Sequence, residues 1–108
     1  MRLKLAKPIA EYFAAENTRD AGALARCFVD HGVVHDEGGT FEGTNAIRDW
    51  NAAAREKYHH TVEPMSAVER DGATIVAGKV TGDFPGSPVT LDHVFRLAGD
   101  KILSLEIR

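Results

Sequence analysis

Val33-Val34-His35-Asp36-Glu37-Gly38-Gly39-Thr40-Phe41-Glu42-Gly43 is an extended run that breaks at a glycine-rich turn and returns, with a carboxylate at the break. It reads as strand, turn, strand. Two helical patterns precede this hairpin and one follows, with a longer meander of strand-like runs beyond. A hairpin in that position is clamped among helices while the meander covers its other side, which makes the hairpin the expected lip of a pocket.

Working outward, Pro8 suits the first turn of a helix, and Ile9, Tyr12, Phe13 and Glu16 follow at helical spacing. Asp20 is placed to cap a second helix whose Ala21, Leu24, Ala25 and Phe28 form an apolar stripe, with Gly32 as its end. Cys27 sits on that stripe and reads as a buried structural thiol. Beyond the hairpin, Thr44 is placed to cap a third helix. Its Ile47, Trp50, Ala54 and Tyr58 share one face, with Arg48, Asp49, Arg55 and Glu56 largely outside it.

From His59 onward the runs are rich in Val, Thr, Ile and Phe. They break at Arg70-Asp71-Gly72, at Pro85-Gly86-Ser87-Pro88 and at Gly99-Asp100, each suited to reversing antiparallel strands. Four strands are expected, over 60–69, 73–84, 89–97 and 101–107. Gly78 and Gly82 inside the second mark bends or places where something approaches the backbone. The order is αα-ββ-α-ββββ. It predicts an α+β fold in which a cone-shaped, curved, mostly antiparallel sheet wraps around three helices and leaves one end open.

Composition narrows the function. A chain of 108 residues, 44% hydrophobic, with a formal net charge of −3, fits one domain over 1–108 with a real core. Thirteen Lys and Arg against sixteen Asp and Glu, with no basic run, speak against nucleic acid as a partner. The basic start Met1-Arg2-Leu3-Lys4-Leu5-Ala6-Lys7 is followed too soon by Pro8, Glu11 and Glu16 for a signal peptide or a membrane span, so the expected location is the cytoplasm. One cysteine excludes an internal disulfide and a multi-cysteine zinc site. His31, His35, His59, His60 and His93 show no compact metal-binding spacing, and a dinucleotide or phosphate-binding glycine pattern is missing, so neither metal nor cofactor is expected.

Several stretches resemble the nuclear transport factor 2-like superfamily, with its SnoaL-like polyketide cyclases, ketosteroid isomerases, dehydratases and epoxide hydrolases. They are Tyr12-Phe13-Ala14-Ala15, Asp20, Phe28 before Val33-Val34-His35-Asp36, Gly43-Thr44-Asn45-Ala46-Ile47-Arg48, and Leu91-Asp92-His93-Val94-Phe95 leading to Lys101-Ile102. The resemblance covers nearly the whole chain and implies a pocket for a small apolar or carbonyl-containing ligand and a homodimer. Similarity to the isomerases implies Asp36 as a carboxylate base, with Tyr12 and Asp92 polarising a carbonyl oxygen. Removing a proton beside a carbonyl needs a base over the carbon and donors on the oxygen.

Each residue also has a plain structural reading. Asp36 suits a turn, Tyr12 suits a core face, and Trp50 and Tyr58 fall at packing positions. As pocket walls the candidates are Trp50, Tyr58, His60 and Phe95. Strand alternation disagrees with the resemblance at one point, because Phe95 and Leu97 share a face with His93 while Asp92 shares the other with Val94 and Arg96. If the larger apolar groups face inward, His93 becomes the polar partner of Tyr12 and Asp36, and the chemistry moves toward a cyclase, a dehydratase with water chemistry or plain binding.

Overall fold

A computed structural model describes residues 3–108; Met1 and Arg2, part of the basic start, lie outside the described residues. The order is α1 (Lys7–Thr18), α2 (Ala21–Arg26), β1 (Phe28–Asp36), β2 (Gly39–Glu42), α3 (Thr44–Tyr58), β3 (Thr61–Arg70), β4 (Ala73–Thr81), β5 (Val89–Ala98) and β6 (Lys101–Ile107). The six strands form one sheet in the order β2-β1-β6-β5-β4-β3, antiparallel except where β1 runs parallel to β6. This is the α+β arrangement expected, a curled sheet around three helices. No helix among the described residues is long and apolar enough to cross a membrane.

α1 starts with Pro8 in its first turn and buries Ile9, Tyr12, Phe13 and Glu16. Ile9, Tyr12 and Phe13 pack with Phe28, Val34, Ile47, Phe95 and Leu105 from the other elements. Asp20 caps α2, accepting from the Ala23 amide at 2.9 Å.

Three boundaries and one helix face differ from the sequence reading. First, α2 stops at Arg26, and Phe28 opens β1 instead of closing the helical stripe. The Ile102 amide donates to the Cys27 carbonyl at 2.8 Å and Phe28 pairs with Ile102, so a strand partner claims the residues that helical spacing had suggested. Gly32 ends no helix. It lies within the register shift of β1, where a Cβ would stand 2.9 Å from that of Phe28.

Second, Gly43, not Thr44, caps α3. Its φ of 94° suits glycine, and the helix has no side-chain cap bond. Third, the buried face of α3 is Ile47, Asn51 and Arg55, at spacings of four, so Arg55 lies inside and not among the outward charges. Fourth, β4 ends at Thr81, short of Phe84, because the chain leaves the sheet to meet the end of α3: the Asp83 amide donates to the Tyr58 carbonyl at 2.7 Å. A Cβ on Gly82 would lie only 2.7 Å from that same oxygen. Pro64 falls in β3, an edge strand, where a missing N–H is tolerated.

Candidate functional site

Between α1, α3 and the concave side of the sheet lies a cavity of about 240 Å³. Its walls are largely apolar, from Trp50, Ala54, Val62, Val80, Phe84 and Leu91, with Glu16, Asp36, His60 and His93 among the polar residues.

Asp36 is the last residue of β1, where the hairpin turns through Glu37 and Gly38 at positive φ, and it is half-buried on the cavity wall. The Trp50 indole, on α3, donates to Asp36 Oδ2 at 3.1 Å. Burial pushes the Asp36 carboxyl above the ordinary value; the Trp50 bond opposes this, while the charges of Glu37 and Glu16 add to it.

His93 reaches the cavity from β5 and is 2% exposed. Its Nδ1 lies 3.1 Å from the Leu91 carbonyl, which can only accept, so Nδ1 carries the hydrogen and the neutral ring has its lone pair on Nε2. Burial lowers the His93 pKa and favours that neutral ring. Gly78 makes room for it: a Cβ there would stand 2.8 Å from His93 Cε1.

The structure divides the candidate residues. Asp36, His93, Trp50, Tyr58 and His60 line the cavity together. Asp92 is exposed on the other side of β5, its backbone paired with Arg108, because alternate side chains of a strand face opposite ways. Phe95 faces the same way as His93 but lies deeper, its ring 5.4 Å from that of Tyr12 and 5.7 Å from that of Phe13, and it does not line the cavity. Tyr12 is fully buried in the same aromatic cluster, outside the lining, and among the described residues its hydroxyl completes no hydrogen bond. Burial first and the Glu16 charge second hold that phenol well above its ordinary pKa. Tyr58 donates from the rim to Glu37 Oε1 at 3.2 Å and sets its ring edge-on to Phe84.

Glu16, Asn51 and Arg55, which sequence reasoning missed, join the expected His60 in a buried polar cluster at the inner wall. Glu16, 3% exposed, accepts on Oε1 from Asn51 Nδ2 at 3.0 Å, from His60 Nε2 at 3.0 Å and from Arg55 Nη2 at 3.4 Å. Arg55 Nη2 also donates to Asn51 Oδ1 at 2.6 Å. Burial alone would raise the Glu16 carboxyl, but His60, Asn51 and Arg55 together outweigh it and hold the group below its ordinary value. The signal was present: an acid on the apolar row of α1, and an Asn and an Arg four apart in line with Ile47 on α3.

Outside the cavity, His35 bonds Thr40 at 3.2 Å and His59 meets Asp83 at 3.1 Å, both exposed. Among the described residues, no group of three His, Cys, Asp or Glu is placed to hold a metal ion.

The SnoaL-like domain model matches residues 9–105. Comparison with curated proteins gives no match. Among solved structures, a candidate polyketide cyclase from Sinorhizobium meliloti is 36% identical, with a TM-score of 0.92 over 96% of this chain and 95% of that one. A protein from Catenulispora acidiphila with a ketosteroid isomerase-like fold, in complex with trimethylamine, is 20% identical, with a TM-score of 0.84 over 97% and 86%. An NTF2-like protein of unknown function from Cytophaga hutchinsonii is 14% identical, with a TM-score of 0.77 over 100% and 93%. The last two support the fold alone. With the family match spanning all but the ends of the chain and a relative above one-third identity, this protein belongs to the SnoaL-like domain family.

Proposed function

We propose that this protein is a cofactor-free acid–base enzyme of the isomerase or polyketide cyclase type, acting on a small carbonyl compound with Asp36 as its base. The observation that carries the reading is Asp36 itself: a half-buried carboxylate in an apolar cavity, one oxygen fixed by Trp50 and its basicity raised by burial. Likeness to the Sinorhizobium meliloti protein supports the cyclase direction.

In this reading Asp36 takes the proton from a carbon beside the carbonyl, and the electron pair moves to the oxygen as an enolate. Tyr12 and Asp92 stand outside the cavity and leave that oxygen to other donors. Asn51 gives one amide hydrogen to Glu16, and its second is the donor available on the inner wall. His93, neutral with Nε2 unprotonated, accepts from a substrate hydroxyl. Asp36 then returns the proton to another carbon in an isomerisation. In a cyclisation the enolate carbon attacks a second carbonyl, whose oxygen takes the proton.

The test is deuterium exchange into a panel of small ketones, followed by NMR. Asp36→Asn keeps the shape and loses the base, so exchange should fall by about 10² to 10⁴, the usual contribution of a positioned base. Melting should change little. Unchanged exchange overturns the assignment.

A second reading, a binding pocket without chemistry, draws on the position of Tyr12: the polarising pair implied by the isomerase resemblance is not assembled in the cavity. The Catenulispora acidiphila structure holds a small molecule, trimethylamine. Absence of exchange on every ketone, with saturable ligand uptake, favours this reading.

We also propose a homodimer through the outer sheet face, where Val68, Ile75 and Val94 stand in register across β3, β4 and β5, with Val68 55% exposed. Sedimentation should give twice the chain mass of 11.7 kDa; a single-chain mass at micromolar concentration rejects it.

A further inference from the structure

Each of the two carboxylates named above keeps one oxygen for the protein. Trp50 donates to Oδ2 of Asp36, and Asn51, Arg55 and His60 all donate to Oε1 of Glu16. Among the described residues no hydrogen bond reaches Oδ1 of Asp36 or Oε2 of Glu16. The Tyr12 hydroxyl is buried close to Glu16 and feels its carboxylate, but among the described residues it completes no hydrogen bond to that acceptor. A buried carboxylate oxygen next to a cavity is a strong acceptor in want of a donor.

The rest of the lining says what kind of donor. Glu16, Asp36 and Glu37 line the cavity, and among the described residues no Lys or Arg does. Arg55, buried behind the lining, commits Nη2 to Glu16 and Asn51, and its Nε and Nη1 are buried without a partner among the described residues. A carboxylate or phosphate entering here would meet three acidic side chains on the wall, with the Arg55 cation behind it already paired to Glu16. Size narrows the field further. The 240 Å³ cavity exceeds the roughly 150 Å³ that takes up a benzene and falls short of the roughly 300 to 1,000 Å³ that encloses drug-sized ligands.

We infer that the cavity takes a non-anionic compound of about one substituted ring, seated by a hydrogen-bond donor, a hydroxyl or an ammonium, on the free Oε2 of Glu16. This names the anchoring group of the substrate and rests on the carbonyl reading only in sharing its cavity. With the donor on Glu16 at the inner wall, Asp36 Oδ1 is left free for the reacting carbon.

The experiment is calorimetric or NMR titration of the native protein with phenol, benzylammonium, anisole and benzoate. At least one donor probe should bind about tenfold or more tightly than both anisole, which lacks the donor, and benzoate, which carries the wrong charge. The tighter of phenol and benzylammonium identifies the group. Anisole or benzoate binding as well as both donors overturns the inference, and so does failure of both donors to bind at millimolar concentration. Glu16→Gln alone would strand the Arg55 charge, so the paired variant Glu16→Gln with Arg55→Met is used, its fold checked by circular dichroism. It should lose the donor preference; a folded pair that keeps it rejects Glu16 as the anchor. Asp36→Asn should retain the preference, and its loss there would move the anchor to Asp36. Because these readouts are binding alone, a protein that exchanges no ketone proton can still pass them, and one that exchanges protons can fail them.

Discussion

Asp36 and Glu16 are carboxylates on walls of the same cavity, yet their surroundings drive them in opposite directions. Asp36 is the more exposed of the two and is the one raised; Glu16 is nearly inaccessible and is the one lowered. Depth of burial therefore does not decide the sign. The number of donors does: one indole N–H for Asp36, against an amide, an imidazole and a guanidinium for Glu16. Two carboxyls set apart in this way suit different roles, the raised one for moving a proton and the lowered one for holding a fixed charge.

The hardest way to break the contrast is to take away the cation behind Glu16. Arg55→Met leaves a buried carboxylate without its guanidinium, and removing one member of a buried pair costs about 3 to 5 kcal/mol. Urea denaturation at neutral pH measures it. A loss below about 1 kcal/mol would show that Asn51 and His60 suffice to hold the charge. The smaller operation is on the other wall. Trp50→Phe keeps an aromatic ring and removes the only donor to Asp36 Oδ2 among the described residues, so the Asp36 carboxyl should rise further, with stability falling by about 1 kcal/mol for the lost hydrogen bond. Titrating the carboxyl carbon of Asp36 by NMR reads this directly, and an unchanged or lowered value would mean that the indole is not its principal stabiliser.

Local signals carried much of the architecture. The glycine breaks at Gly38-Gly39, Asp71-Gly72 and Gly99-Asp100 separate strands that pair as neighbours, so the meander could be read without knowing any long-range contact. Alternation along β5 was enough to turn His93 inward and Asp92 outward, because a half-buried strand has only two faces. What needed tertiary knowledge was lost. Phe28 sits at helical spacing from Leu24, but its partner is Ile102, far along the chain. Helical spacing put Tyr12 on the inner face of α1 without saying how deep it lies, and the cavity does not extend to it. Arg55 looked like a solvent charge because its reason for burial, Glu16, is 39 residues away on another helix.

The gentlest test of the contrast is the pH dependence of stability, where the two carboxyls act with opposite signs. Glu16 titrates lower in the folded protein than in the unfolded chain, so between its folded value and the ordinary value of about 4.3 the unfolded chain binds more protons. Its stabilisation is present above that window and is lost as pH falls through the folded value. Asp36 titrates higher when folded, so from the ordinary value of about 3.9 upward to its folded value the native state binds more protons, and stability falls as pH rises. Asp36→Asn removes the second contribution and leaves the first. The stability of the variant minus that of the native protein should therefore grow as pH rises through the Asp36 window and then level off, whatever fixed difference the amide introduces. Urea midpoints at a series of pH values from about 3 to 7, converted at constant slope, give this difference curve. A curve that is flat or falls with pH means that folding does not raise the Asp36 carboxyl, and the base assigned to it loses its physical footing.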